Sequence, residues 1–147
     1  MATMGQKIAA ALIAVGLLAG TGTALAQGDV IAQRKELMKA NRSSLGAIKK
    51  IVDDGSDPAA AAAHAKTLLD DGQKFITLFP KGSESGDTAS KPEVWSDWAG
   101  FEAANKVFTD AAQKVADASA AKDPAALKAA FGAVAGSCAN CHNKFRK

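Results

Sequence analysis

The sequence has few or none of several features that particular classes of protein require. Its 147 residues contain two cysteines and two histidines, and the longest apolar run, residues 8–18, has eleven residues. A membrane-spanning helix needs roughly 20. The sequence also has no Gly-rich phosphate loop, no serine that pairs with histidine and acid, and no inward pair of carboxylates. These absences argue against a membrane anchor and against a substrate-turnover enzyme.

The chain also lacks a strong excess of charge of either sign. Lysine and arginine number 18 and aspartate and glutamate 15, which gives a formal net charge of +3. The charges are interspersed, except for Lys144, Arg146 and Lys147 at the C-terminus, which we interpret as a solvated tail with docking as the alternative. This pattern is too weakly basic to predict a nucleic-acid partner.

The N-terminus has the pattern of a secretory signal. Lys7 precedes the apolar run, and small residues then lead to Ala24-Leu25-Ala26, an A-x-A cleavage site. We therefore predict that residues 1–26 are a cleavable signal peptide and that residues 27–147 form the mature domain. A chain of that length can bury one core.

Apolar periodicity in the mature domain predicts four helices. The first spans residues 30–52, and the second runs from an Asp-Pro start at residue 57 to Phe79, before Pro80. A loop at residues 81–91 precedes a third helix at 92–119, and a second Asp-Pro pair starts the fourth at residue 123. The predicted fold class is all-α, an antiparallel up-down-up-down four-helix bundle.

The fourth helix carries the motif with chemical content. Cys138-Ala139-Asn140-Cys141-His142 is a C-x-x-C-H sequence, the attachment signature of c-type haem. On a helix the two thiols share a face and can bond the two vinyl groups, while His142 can ligate the iron. An export signal agrees with this assignment, because bacteria attach c-type haem outside the cytoplasm, so we predict a periplasmic protein. The alternatives are a thiol-redox pair, and a zinc site that would need His64 or a carboxylate as fourth ligand.

A second axial ligand must come from upstream of the motif. Met38 is the only methionine of the mature chain and His64 its only other histidine, and protonated lysines are poor competitors. Met38 lies on the apolar face of the first helix, so it is the candidate ligand, with core packing as the alternative. Arg34, one turn earlier, is a candidate partner for a haem propionate, with a surface charge as the alternative. Trp95, Trp98 and Phe101 are left outside the predicted site because aromatic residues at this spacing are usually core.

The chain resembles the class II cytochromes c, the family of cytochrome c′ and its low-spin relatives. The resembling segments are RKELMK at residues 34–39, KPEVW at 91–95 and CANCHNKFR at 138–146. The resemblance implies a four-helix bundle with one covalent haem c near the C-terminal helix. It also implies that Met38 faces the distal side of the haem, as an axial ligand in low-spin members and as a free side chain in cytochrome c′.

Two functions follow from the two coordination states. With His142 and Met38 both bound, the protein would be a single-electron carrier, and this is the function that we predict. The alternative is a five-coordinate cytochrome c′ that binds nitric oxide or carbon monoxide. The expected partners are periplasmic or membrane-bound redox proteins, small gas ligands and a second copy of the chain in a homodimer.

Overall fold

The computed structural model describes the backbone of residues 21–147 and the side chains from residue 29 onward. The first twenty residues of the predicted signal peptide lie outside the described residues. The helices are α1 (Thr21–Asp54), α2 (Ala62–Phe75), the short α3 (Glu93–Ser96), α4 (Trp98–Ala120) and α5 (Pro124–Phe145). Single 3-10 turns precede and follow α2, at Pro58–Ala61 and Ile76–Leu78.

The four long helices form one bundle. Helix α4 packs against α2 and α5, and α1 packs against the same two helices. This arrangement confirms the all-α four-helix bundle predicted from the sequence. Within the described part of the chain, no helix combines the length and the apolar character that a membrane crossing requires.

Aspartate side chains cap the N-termini of two helical segments, the 3-10 turn at Pro58–Ala61 and α5. Asp57 accepts a hydrogen bond from the backbone N–H of Ala59, and Asp123 accepts from Ala125 and Ala126. Proline follows each aspartate, where its missing N–H and its fixed φ suit the first helical position. The predicted helix starts at both Asp-Pro pairs are therefore confirmed.

The sequence predicted one continuous third helix over residues 92–119, but the structure has two helices there, α3 and α4. The backbone of Asp97, at φ −123° and ψ 58°, leaves helical geometry, so α3 ends there and α4 begins one residue later. The Asp97 carboxylate accepts from Gly100 N–H at 3.1 Å and caps α4. The apolar stripe continues through the break, which is why periodicity alone concealed it.

Two separate apolar clusters form the core. The first lies between α1, α2, α4 and α5 and is built mainly from aliphatic residues, the largest being Ile48, Leu68, Val115, Leu127 and Val134. The second lies at the other end of the bundle and is mostly aromatic, with Leu78, Phe79, Val94, Phe101 and Phe145 as its buried members.

Gly72 allows the close approach of α2 to α4. Its carbonyl accepts a hydrogen bond from the Asn105 side-chain amide at 3.0 Å, and a Cβ atom at Gly72 would lie 2.6 Å from the Thr109 methyl group. Since Thr109 is β-branched and stiff, Gly72→Ala should lower the free energy of unfolding by about 1–3 kcal/mol in urea titrations. Gly132→Ala is the control, because a Cβ there meets nothing within 4 Å. Equal stability of the two variants would contradict this account.

Candidate haem site

A cavity of about 550 Å³ lies between the two apolar clusters. Leu68 and Val134 of the first cluster line one part of it, and Phe79, Phe101 and Phe145 of the second line another. Pockets that hold cofactors have this size and are largely apolar, with a few polar groups that fix orientation. The volume suits one haem.

Helix α5 contributes the attachment motif to the wall of this cavity. Cys138, Cys141 and His142 all line it, each is half-buried, and the two cysteines are not joined in a disulfide. The helix therefore brings the three predicted residues together. Within the described chain, no three or more histidine, cysteine, aspartate or glutamate residues cluster as a metal site would require, so the zinc alternative gains no support.

The surroundings set the protonation of these groups. Burial raises the pKa of the Cys138 thiol, with a smaller opposing effect from a hydrogen bond with Ser137. Burial and the neighbouring Cys138 raise the pKa of the Cys141 thiol. The pKa of His142 is lowered by burial and by the positive charges of Arg146 and Arg42. Two free cysteines are what thioether formation requires, and a neutral imidazole with a free lone pair is the form that ligates iron.

Helix α1 supplies the wall that contains the predicted sixth ligand. Arg34, Met38, Asn41 and Leu45 follow one another at helical spacing, and all four line the cavity. Met38 is half-buried there. His64, the other candidate ligand, is not among the residues that line the cavity. Of the two candidates, only the methionine therefore reaches the site.

Arg34 has protein partners that the sequence did not reveal. Its side chain is 5% exposed, its Nε donates to the Leu78 carbonyl at 2.7 Å, and its Nη atoms donate to the carbonyl and hydroxyl of Ser83. The guanidinium also lies 4.0 Å from the centre of the Phe79 ring. Burial lowers the pKa of Arg34 to about 10, so it is still charged at neutral pH. Its pairing with a haem propionate stays a prediction.

Several aromatic residues that line the cavity were not predicted to belong to the site. Phe75, Phe79, Phe101, Phe108 and Phe145 line the cavity, and Phe79 and Phe101 meet edge to face with ring centres 4.8 Å apart. The two tryptophans do not line it, and the indole N–H of Trp95 instead donates to the Phe79 carbonyl at 3.1 Å. The sequence did contain one indication of these rings, because bulky apolar residues are concentrated near the C-terminal end of the second predicted helix.

Positive charge surrounds the cavity. Besides Arg34, its lining includes Lys35, Lys39, Arg42 and Arg146, and no aspartate or glutamate is among the described lining residues. Lys35 already pairs with Asp87 at 2.5 Å, whereas Lys39, Arg42 and Arg146 are exposed. A haem has an apolar ring and two carboxylates, so an apolar cavity with a cationic edge fits it.

Known proteins share the sequence pattern of this chain. The family model described as Cytochrome C′ matches residues 29–146. Cytochrome c′ of Rhodopseudomonas palustris is 37% identical over 145 residues, which covers 96% of this chain and 97% of the relative.

Solved structures agree with the sequence matches. A nitric oxide complex of a mutant cytochrome c′ from Alcaligenes xylosoxidans superposes with a TM-score of 0.75 and 31% identity, over 82% of this chain and 95% of that one. A cytochrome c′ described as having ligand-controlled dimer dissociation gives a TM-score of 0.76 and 26% identity, over the same shares of each chain. The fold and the site thus define a c-type cytochrome built on a four-helix bundle. The chain belongs to the cytochrome c′ family, and its cofactor is one covalently attached haem c with iron.

Proposed function

We propose that this protein is a periplasmic cytochrome c′ whose haem iron has His142 as its only protein ligand and binds nitric oxide or carbon monoxide on the other face. The observation that carries the proposal is the apolar cavity beside His142, in a chain that shares its fold with a protein solved as its nitric oxide complex. Bound haem supplies an iron that can accept one electron or a diatomic ligand.

The chain's own residues bind and orient the group. Cys138 and Cys141 would hold the haem through thioether bonds from their sulfur atoms to its two vinyl groups. His142 presents its neutral imidazole from the same helix face. The rings of Phe75, Phe101 and their neighbours exclude water from the rest of the cavity. Lys39 and Arg42 are proposed to neutralise the propionates, together with the predicted contribution of Arg34.

A second candidate function keeps Met38 as the axial ligand of a low-spin electron carrier. Its support is the place of Met38 in the cavity wall. We rank it second because the family model that matches residues 29–146 is described as Cytochrome C′ and most of the matching relatives are named cytochrome c′. A methionine that does not ligate fills irregular apolar space well, because its unbranched side chain is flexible and its sulfur polarizable.

Absorption spectra of the exported protein distinguish these two functions. We expect ferric and ferrous spectra of a five-coordinate, high-spin haem, a clear shift of the ferrous spectrum with carbon monoxide, and no change of coordination in Met38→Ala. Leu45→Ala is a matched control, since it removes a neighbouring apolar side chain of the same cavity wall. A low-spin spectrum with a methionine-to-iron charge-transfer band that Met38→Ala abolishes would reverse the ranking.

The location and the partners of the protein are part of the same proposal. We expect the exported chain to begin at Gln27, and the family match beginning at residue 29 supports a mature domain with these bounds. Intact mass should therefore equal residues 27–147 plus one haem.

Redox proteins of the periplasm or its membrane are the proposed electron partners. A homodimer is proposed by analogy with the relative that dissociates under ligand control, and sedimentation with and without carbon monoxide tests it.

A further inference from the structure

Asn41 places an unsatisfied polar group in the wall of the haem cavity. The residue is 9% exposed and lines the cavity, and its side-chain Oδ1 is buried without a hydrogen-bond partner within the described structure. A buried polar atom without a partner is destabilising, and such atoms are few in folded proteins. The position therefore calls for an explanation other than stability.

The other neutral polar side chains deep in this wall are satisfied by the protein itself. Asn105 of α4 donates its amide to the Gly72 carbonyl at 3.0 Å, and Ser137 of α5 donates its hydroxyl to the Val134 carbonyl at 2.7 Å. Asp71 also has an unpartnered oxygen, but it does not line the cavity. Asn41 is thus an amide of the cavity lining whose Oδ1 has no partner within the described structure.

Asn41 and His142 line the cavity from different helices, α1 and α5. A haem held by the α5 motif and His142 would turn its other face toward side chains that the other helices contribute. On α1, Asn41 follows Met38 by three residues and lies on the same stripe. Apart from its cationic edge, the cavity is lined mainly by aliphatic and aromatic side chains, which makes a hydrogen bond inside it stronger than in water.

We propose that the Asn41 side chain donates a hydrogen bond to a diatomic ligand held opposite His142, and so slows its escape. The NH₂ group of this amide is a donor, and it makes no hydrogen bond within the described structure, so it can bond the ligand's outer atom. This inference rests on the proposed function, because it requires an open sixth position. It makes Asn41 a specificity residue for small polar gases in an otherwise apolar pocket.

The test uses carbon monoxide on the ferrous haem-loaded protein and its Asn41→Leu variant. A neutral hydrogen bond is worth on the order of 1 kcal/mol, so its loss should speed carbon monoxide dissociation about fivefold. The C–O stretching frequency in the infrared should rise, because the donor no longer draws electron density toward the oxygen. The variant should be at least as stable as the parent protein, since an unsatisfied buried amide is removed.

Two controls keep the outcomes separate. Ser44→Ala changes another buried polar residue of α1 that does not line the cavity, and it should alter neither the rate nor the frequency. All measurements are repeated in a Met38→Ala background, where carbon monoxide can bind even if Met38 is a ligand. If the wild-type protein takes up carbon monoxide only after Met38 is replaced, the proposed function fails. If Asn41→Leu and Asn41→Ala leave rate and frequency unchanged in both backgrounds, the Asn41 proposal is overturned.

Discussion

Exported protein in which Cys138 and Cys141 are both replaced by alanine is expected to carry no covalently bound haem and to lose its cooperative native fold. The two thiols are the only ones in the chain, so no other residue can form the thioethers. Intact mass and haem staining of denaturing gels measure attachment, and near-ultraviolet circular dichroism with thermal unfolding measures the fold. We expect complete loss of covalent haem and of the near-ultraviolet signal.

The structural part of this expectation follows from the position of the cavity. The cavity separates an aliphatic cluster from an aromatic one, so a bound haem would pack against both and connect the two halves of the core. Without haem, this partly open volume of about 550 Å³ would expose apolar side chains of both clusters to water, at a cost on the order of several kcal/mol. A domain has roughly 5–15 kcal/mol of stability in total. The haem-free chain should therefore relax to a compact helical state without fixed packing.

Ser137→Ala provides the matched comparison for the double cysteine variant. It removes a buried hydroxyl from the residue next to Cys138 and leaves both thiols in place. This variant should retain its haem, with a modest loss of stability. A double cysteine variant that keeps a sharp thermal transition and its near-ultraviolet signal would show that the two clusters do not depend on the haem.

Most of the fold could be predicted because its determinants are local. The Asp-Pro pairs at residues 57 and 123 act within one helical turn, through a carboxylate cap and a proline with the right φ. The break at Asp97 could not be predicted, since it depends on one residue leaving helical geometry inside an unbroken apolar stripe. Asp97 also pairs with Lys144, 47 residues away, and no local pattern encodes such a contact.

The site residues, like the fold, could be predicted where local spacing determines their position and could not where the packing between helices determines it. Cys138, Cys141 and His142 were predicted because their spacing on one helix determines their common face, and Met38 because the periodicity of α1 turns it inward. The phenylalanines of the cavity wall come from α2, the residues after α2, α4 and α5, and their convergence depends on how the helices pack. Asn41 could be placed on the inward face, but its lack of a hydrogen-bond partner is visible only in three dimensions.

Arg34→Ala is expected to produce a large loss of stability although it leaves the haem attachment residues untouched. The change removes the donors to the Leu78 carbonyl and to the Ser83 carbonyl and hydroxyl. The two buried carbonyls lose this partner, while the hydroxyl keeps its bond to the Pro80 carbonyl. It also opens space beside the Phe79 ring. Together these effects should lower the free energy of unfolding by about 3 kcal/mol, measured by denaturant titration of the haem-loaded protein.

The size of this effect separates two roles for Arg34. If the arginine mainly pairs with a propionate, Arg34→Lys should restore most of the lost stability, because it keeps the charge. If the arginine mainly ties α1 to the chain after α2, lysine should restore little, since one ammonium cannot replace a fork that spans Leu78 and Ser83. The structure favours the second role, and Arg42→Ala, an exposed cation on the same helix and cavity edge, should change stability by no more than about 0.5 kcal/mol. Similar losses for Arg34→Ala and Arg42→Ala would mean that the charge at the cavity edge, rather than the buried hydrogen bonds, is what matters.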